Sequence, residues 1–409
     1  MTKRSVPTCV CDSVYGHSHA ECELSSGYLC EILKNAGEQS TFLSNGTVID
    51  EAEAVSLVGR SLRDASYPLI TGLENVGVES QKAAANVARA AKGVVDSSWT
   101  DSAFPWILSM ARAGMVTSSI GEVALRSDVL VVIDGDPWQT HPRLASQFSG
   151  SEKTLVYLGT KGKMNASIPW TSTLFTDEEG LEPLLIQLEM SLTSRSANSK
   201  CFDNLNDEQN SLVRLFLDSR YVTFFAWDSL HGLAGPGNFH SAVDSLVSFA
   251  ARLNQTTRSV VLKLQVGRND HGAENVSTWN FGFPRAVDMT QGSARSFGDE
   301  YSTSNIVKRR ECDLLLNFGE VPMDRLDQAT VEHLRSIPII SFVWSGQNAW
   351  PPDHAKPETL IEIKNLALLP DDFIRFDDAS IELDISSPTL PSPPQLREFL
   401  DHVAKRATL

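Results

Sequence analysis

Apolar residues along this chain come in short runs of strand length, separated by stretches with helical spacing. Leu69-Ile70-Thr71-Gly72 predicts a strand that ends on glycine. Residues 79–91 (ESQKAAANVARAA) are strong helix formers, and Gly93-Val94-Val95-Asp96 predicts a second strand. Together they make one β-α-β unit, the building block of a parallel sheet. The pattern then recurs. Ser118 or Ser119 can cap a helix to about residue 126, with Glu122 at the capping-box position for Ser119. Val129-Leu130-Val131-Val132-Ile133 is apolar throughout, as a strand buried on both faces should be, and runs into Asp134-Gly135-Asp136-Pro137. Further strands are predicted over residues 155–158, 222–227, 260–264, 314–318 and 339–343, and helices over 181–192, 242–253 and 395–407.

At least six strands alternating with helices give an α/β fold of more than one mononucleotide-type unit, and 409 residues allow two packed α/β domains. The first 50 residues fall outside the pattern and hold four of the six cysteines. Residues 386–395 (SSPTLPSPPQ) read as a proline-rich linker. No internal repeat is present. Lys and Arg number 35 against 51 Asp and Glu, a formal charge of −16, which disfavours nucleic-acid and anionic-membrane partners. The start, MTKRSVP, has no apolar run behind its two basic residues, and no segment reaches the ~20 apolar residues of a membrane span. The expectation is a cytoplasmic protein with too few cysteines for a disulfide scaffold.

Several groups could carry chemistry. Cys9, Cys11, His17, His19, Cys22 and Cys30 place six metal-competent side chains within 22 residues. Zinc or an iron–sulfur cluster is one reading; a relic loop is the other, because Cys9-Val10-Cys11 is not the C-x₂-C that seats a metal in a turn. The turn from Gly232 to Gly237 lies between a strand and a helix, where a phosphate could sit, but it matches no phosphate-loop fingerprint and reads more readily as a chain reversal. His141 and Arg143 follow the strand at 129–133, on the side where open α/β sheets bind ligands. His271, Trp279 and Arg285 lie in residues 267–288, which predict a long irregular loop of the kind that serves function or an interface. No nucleophile elbow, H-E-x-x-H or paired C-x-x-C occurs, so no catalytic group assembles from motifs. An unrelated nucleotide-binding α/β enzyme would need the missing phosphate fingerprint.

Several of these stretches, in this order, resemble the B subunit of formylmethanofuran dehydrogenase, a branch of the molybdopterin oxidoreductases. They are Tyr67-Pro68-Leu69-Ile70-Thr71-Gly72, Gly93-Val94-Val95-Asp96, Asp128 to Pro137 with His141-Pro142-Arg143, Ser277-Thr278-Trp279 with Gly282-Phe283-Pro284, Glu311-Cys312-Asp313, and Ile374-Arg375-Phe376-Asp377. The resemblance implies two Rossmann-like α/β domains of the formate dehydrogenase/DMSO reductase type. A degenerate iron–sulfur-type segment would cover 1–50, a first domain 51–150 with 300–385, a second domain 151–299, and a linker with a helix 386–409.

The departures from that family are as informative. Its active members bind molybdenum or tungsten through the cysteine of a Cys-His-Gly-Pro loop. Laid on that loop without gaps, this chain has Ser102, Ala103 and Phe104 before Pro105. Cys11 and Cys22 resemble the third and fourth cluster ligands, while the first two would fall near Arg4 and Pro7. Two thiolates do not hold a [4Fe–4S] cluster, which needs four ligands. The pattern is similar to the B subunit of the formyltransferase/hydrolase complex of aerobic one-carbon-using bacteria. That complex moves a formyl group from tetrahydromethanopterin to a methanofuran-type carrier and releases formate. The resemblance implies a scaffold subunit without intrinsic activity and without cofactor. Its partners would be a zinc-bearing amidohydrolase-like A subunit, a C subunit and a formyltransferase D subunit. His141, Arg143 and Trp279 would line a relic crevice. The alternative is a redox-active dehydrogenase subunit carrying molybdopterin or tungstopterin, with Ser102 as metal ligand.

Overall fold

The structure, a computed structural model, describes residues 40–140, 153–176, 180–196, 205–227, 239–264, 270–343, 347–366, 373–375, 382–384 and 396–408. In chain order the elements are β1 (Thr41–Ser44), β2 (Thr47–Ile49), α1 (Glu51–Asp64), β3 (Pro68–Thr71), α2 (Val78–Ala91), β4 (Val94–Val95), α3 (Phe104–Ala113), α4 (Ile120–Arg126), β5 (Val129–Ile133) and α5 (Pro137–Thr140). Then come β6 (Thr154–Gly159), β7 (Ser172–Phe175), α6 (Leu181–Ser196), α7 (Asp207–Asp218), β8 (Tyr221–Trp227), α8 (Phe239–Leu253), β9 (Arg258–Leu264) and α9 (Asp270–Phe281). The chain continues with β10 (Val287–Asp288), α10 (Thr303–Arg309), β11 (Leu314–Phe318), α11 (Gln328–Ser336), β12 (Ile339–Val343), β13 (Leu360–Lys364), the β14 (Phe373–Arg375) and β15 (Glu382–Asp384) pair, and α12 (Leu396–Thr408).

Two compact units result, one from residues up to Asp101 together with those from Gly267 onward, the other from Ser102–Val266. The first holds an eight-stranded sheet in the order β10-β4-β3-β11-β12-β13-β1-β2. Its five central strands run parallel, and β10, β1 and β2 add antiparallel edges. Alternate residues of each strand face opposite cores, as the two-residue period requires. Ile70, Leu316, Ile340 and Ile363 meet α1, α2 and α12 on one side. Leu69, Leu315, Ile339 and Leu360 meet α10 and α11 on the other. The second unit holds the all-parallel sheet β7-β6-β5-β8-β9. Val129, Val131, Phe224 and Val261 face α6, α7 and α8, while Leu130, Val132, Phe225 and Leu262 pack with Ile120 and Val123 of α4. Burial of each such side chain contributes about 1.5–3 kcal/mol.

One device sets strand register in both units. Asp128 accepts the N–H groups of Arg220 and Tyr221 at 2.9 and 2.8 Å, fixing the start of β8 beside β5. Asp313 accepts those of Ser66 and Tyr67 at 2.6 and 2.9 Å, doing the same for β3 beside β11. Helix starts follow the side chains available to cap them. Ser119 accepts the Glu122 N–H as the sequence predicts, Asp50 and Asp327 cap α1 and α11, and Asn206 with Gln209 forms a full capping box on α7.

Strand pairing divides the chain elsewhere than at residue 150. β5 bonds to β6 and β8, so the described residues from Ser102 on belong with the second sheet. β10 bonds to β4, which returns residues 270–299 to the first unit. Residues 41–49 complete the edge of the first sheet, and α12 packs against α1 and α2 as part of its core. The irregular loop expected over 267–288 is instead largely helix α9. Its buried face includes Ala273, Glu274, Val276 and Ser277, too polar to show an amphipathic pattern, and it forms by packing on α2. Among the described residues no helix is long and apolar enough to cross a membrane.

Candidate functional site

The loop that leaves β4 begins at Asp96, whose side chain is fully buried. Arg285, whose side chain is 1% exposed, meets it in a two-pronged ion pair: Nε donates to Oδ1 and Nη2 to Oδ2, each at 2.9 Å. Nη2 also donates to the Ser98 carbonyl at 3.0 Å. The same carboxylate accepts the N–H groups of Ser97, Ala286 and Thr303 at 2.9, 3.2 and 2.8 Å. Asp96 thus ties the loop to the start of β10 and to the first turn of α10. A buried pair with this many partners is stable in place and costly to break. Asp101, further along the loop, is buried enough that its carboxyl is pushed up; Arg285 opposes that shift, and Asp96 adds to it. Arg285, which the sequence places in a segment expected to be an irregular loop of functional or interface kind, is thus a structural anchor.

The carboxyl ends of β3 and β11 adjoin where the order of the first sheet reverses, the position at which open α/β sheets take ligands. Here they close on each other. Gly72, at φ +83°, lies so close to Phe318 that a Cβ would collide with the Phe318 carbonyl. Asn75 Nδ2 donates to the carbonyls of Gly72 and Phe318 at 3.0 and 2.8 Å. Trp99 Nε1 donates to Asn317 Oδ1 at 2.8 Å, and Asn317 Nδ2 donates to the Gly319 carbonyl at 2.7 Å. These amide hydrogen bonds tie the two strand ends together and rigidify what they fill.

In the second sheet the corresponding ends belong to β5 and β8. Asp134 is at φ +47°, and its carboxylate accepts the Thr160 N–H at 2.7 Å and pairs with Lys163 at 2.5 Å. Asp136 accepts the Trp138 N–H at 2.9 Å and Asn165 Nδ2 at 2.6 Å. The Trp227 ring lies across Gly135, where a Cβ would stand 2.8 Å from it.

Of the residues singled out in the sequence, Ser102 is half-buried, and Ala103 and Phe104 are each 3% exposed at the start of α3. Trp279 is half exposed on α9, in the unit that does not contain Ser102. His141, Arg143, Cys9, Cys11, His17, His19, Cys22, Cys30 and the turn Gly232–Gly237 lie outside the described residues, as does the side chain of His271. Sequence reasoning passed over Asn75 and Trp227; a polar residue four positions after a strand, and an aromatic at a strand's carboxyl end, were the only signals. It also passed over Cys312 as a side chain. Burial pushes that thiol up to about 12, and its Sγ lies 3.8 Å from His333 Nε2. A thiol held neutral in this way is a poor nucleophile. Among the described residues no three His, Cys, Asp or Glu side chains converge on a site that could hold a metal ion.

The geometry defines a protein of two Rossmann-like α/β units, one sheet mixed at its edges and one wholly parallel. No protein-family model matches the chain. The chain is homologous to the B subunit of formylmethanofuran dehydrogenase. It is 24% identical over 307 residues to the B subunit of the tungsten-containing formylmethanofuran dehydrogenase 2 of Methanococcus maripaludis, covering 71% of this chain and 69% of that one. The counterpart in Methanocaldococcus jannaschii is 23% identical over 306 residues, with the same coverage of 71% and 69%. The fold matches a chain in the crystal structure of the formyltransferase/hydrolase complex from Methylorubrum extorquens with methylofuran. The TM-score is 0.72 at 18% identity, over 90% of this chain and 98% of that chain.

Proposed function

We propose that this chain is the B subunit of a formyltransferase/hydrolase complex in formyl-carrier one-carbon metabolism, and that it acts as scaffold rather than catalyst. Its partners are the A, C and D subunits, with the formyl-transfer and hydrolysis chemistry on A and D. The observation that carries the reading is the loop after β4. It is anchored by Asp96 and Arg285, yet where the redox family needs a metal-binding thiolate it presents Ser102-Ala103-Phe104, with Phe104 buried. A pterin dinucleotide also brings phosphates, which need open N–H groups or free cations. The described ends of both parallel sheets do not fit such a group: one is closed by Gly72, Phe318 and Asn75, the other carries Asp134 and Asp136. Likeness to the formyltransferase/hydrolase fold over nearly the whole of that chain supports the same reading.

The alternative, a dehydrogenase subunit using tungstopterin or molybdopterin, is favoured by the tungsten-containing relatives. One experiment separates them. The native complex is purified by a tag on this chain and analysed for metals and for formyl turnover. The scaffold reading expects A, C and D subunits to co-purify, and neither tungsten nor molybdenum at stoichiometric level. Either metal at one per chain, with viologen-linked oxidation of a formyl carrier, would establish the alternative.

A further inference from the structure

We infer that a single water molecule is bound inside the first unit, between α2, the loop after β4 and α9, where it joins Gln81, Ser97 and Ser277. The inference does not depend on the scaffold reading. Two polar atoms motivate it. Gln81 is 1% exposed, and its amide nitrogen donates to the Leu73 and Val76 carbonyls at 2.9 Å each. Those carbonyls fix which way the amide faces, because turning it would set oxygen against oxygen. Its Oε1 has no partner among the described residues. Ser97 is 2% exposed, and its hydroxyl has none either. Buried polar atoms in folded proteins are nearly always hydrogen-bonded, so two in one place call for an explanation.

Both residues line the same small cavity, together with Ser277 and apolar side chains that include Leu73, Val95 and Val276. The cavity measures about 10 Å³, the space of one water-sized sphere. An apolar cavity of this size would stay dry, but this one has three polar groups in its wall. Ser277 already donates its hydroxyl hydrogen to the Phe283 carbonyl at 2.8 Å, so its oxygen is left to accept. The roles balance around a water that donates to Gln81 Oε1 and Ser277 Oγ and accepts the Ser97 hydroxyl hydrogen. Three hydrogen bonds are the usual complement of a buried water. Three neutral oxygens are too few for a calcium ion, which takes six or more. The site bears on the loop that leads to Ser102. Ser97 directly follows Asp96, and its carbonyl accepts the Glu74 N–H at 3.1 Å. The water is thus a second tie on the loop that Asp96 and Arg285 anchor.

The test is a crystal structure of the full chain, alone or in its native complex, at a resolution that shows ordered water. One peak should lie within about 2.5–3.0 Å of Gln81 Oε1, Ser97 Oγ and Ser277 Oγ, the range of hydrogen bonds between oxygens. Well-ordered side chains with no peak between them would overturn the inference, as would a direct bond from the Ser97 hydroxyl to Gln81 Oε1. A solution measurement stands beside it. Ser97→Ala removes one partner of the water and leaves the backbone intact. Exchange of the Glu74 amide hydrogen should then speed up about fivefold to tenfold, the worth of one hydrogen bond. Ser277→Ala weakens the same water from α9 and should speed that exchange by a smaller factor. An effect of Ser97→Ala with none from Ser277→Ala would assign the tie to a direct contact instead of a shared water. No change in either variant would equally overturn it.

Discussion

Among the described residues, the carboxyl ends of the two sheets' parallel strands are filled by different means. In the first, the ends of β3 and β11 are drawn together until backbone meets backbone at Gly72 and Phe318, and Asn75, Trp99 and Asn317 fill what remains with side-chain hydrogen bonds. In the second, the strand ends are covered by an indole, and two carboxylates take the N–H groups and the lysine around them. The origin of the parts differs too. The described second unit is one stretch of chain, from Ser102 to Leu264, whereas the first joins residues 40–101 to residues 270–408. A unit assembled from two distant stretches depends on the contacts that cross between them, here β3 with β11, β1 with β13 and α12 with α1 and α2, and a contiguous one does not.

That contrast can be broken most severely at α12. Its Leu396, Phe399, Leu400 and Val403 complete the core over α1 and α2, with Phe399 stacked on Phe42 at 5.7 Å. A chain ending at residue 395 should lose hydrogen-exchange protection across β3, β11 and β12 while β5, β8 and β9 keep theirs. The single change Phe399→Ala should cost about 3–5 kcal/mol in chemical denaturation. Equal loss of protection in both units would show that they fold as one cooperative body.

Arg285 comes next. Replacing it with Met leaves Asp96 buried without its cation, which should destabilise the first unit by about 3–5 kcal/mol. Adding Asp96→Asn should recover part of that, read as a coupling in a double-mutant cycle. A near-neutral Arg285→Met would mean that the pair is relieved by water. Smaller again is Asn75→Ala, which leaves the Phe318 carbonyl without its side-chain donor at a cost of about 1–3 kcal/mol. The second unit's melting transition should not move in any of these variants.

The smallest effect expected is a pH dependence at His333. Burial holds its pKa below the ordinary 6.5, so the folded state prefers the neutral ring; a hydrogen bond to the Cys312 backbone opposes that shift, and Arg310 adds to it. The stability this contributes is present above about pH 6.5 and is lost as pH falls through the folded pKa. His333→Gln should flatten the decline of first-unit stability between about pH 7 and 5, within the range where histidine titrates. An unchanged slope would assign the decline to other groups.

Much of the fold was readable along the chain. Val129–Ile133, Leu314–Phe318 and Ile339–Val343 are strands with the bounds their apolar runs suggest, because a strand buried on both faces is predominantly apolar, interrupted in the last two only by Asn317 and Ser341. Helix α9 was not readable. Its inward face is built from small and polar residues that pack on α2, so no amphipathic period marks it. The site was legible only through the resemblance, which lays Ser102-Ala103-Phe104 where the redox family carries its cysteine loop. Arg285 illustrates the converse. Its segment showed no regular pattern and read as a functional or interface loop, and only the approach of Asp96 from 189 positions away in the chain makes Arg285 an anchor.

The sequence by itself determined the α/β alternation and most strand positions, because these depend on residue type and local spacing. The tertiary structure alone decided which strands share a sheet, and with them the division of the chain at Asp101 and Ser102. It alone decided that Gly135 lies under Trp227 and that Asp136 holds the first available N–H of α5. Those outcomes rest on hydrogen-bond pairing and steric contact between residues far apart in the chain, which spacing along the chain does not encode.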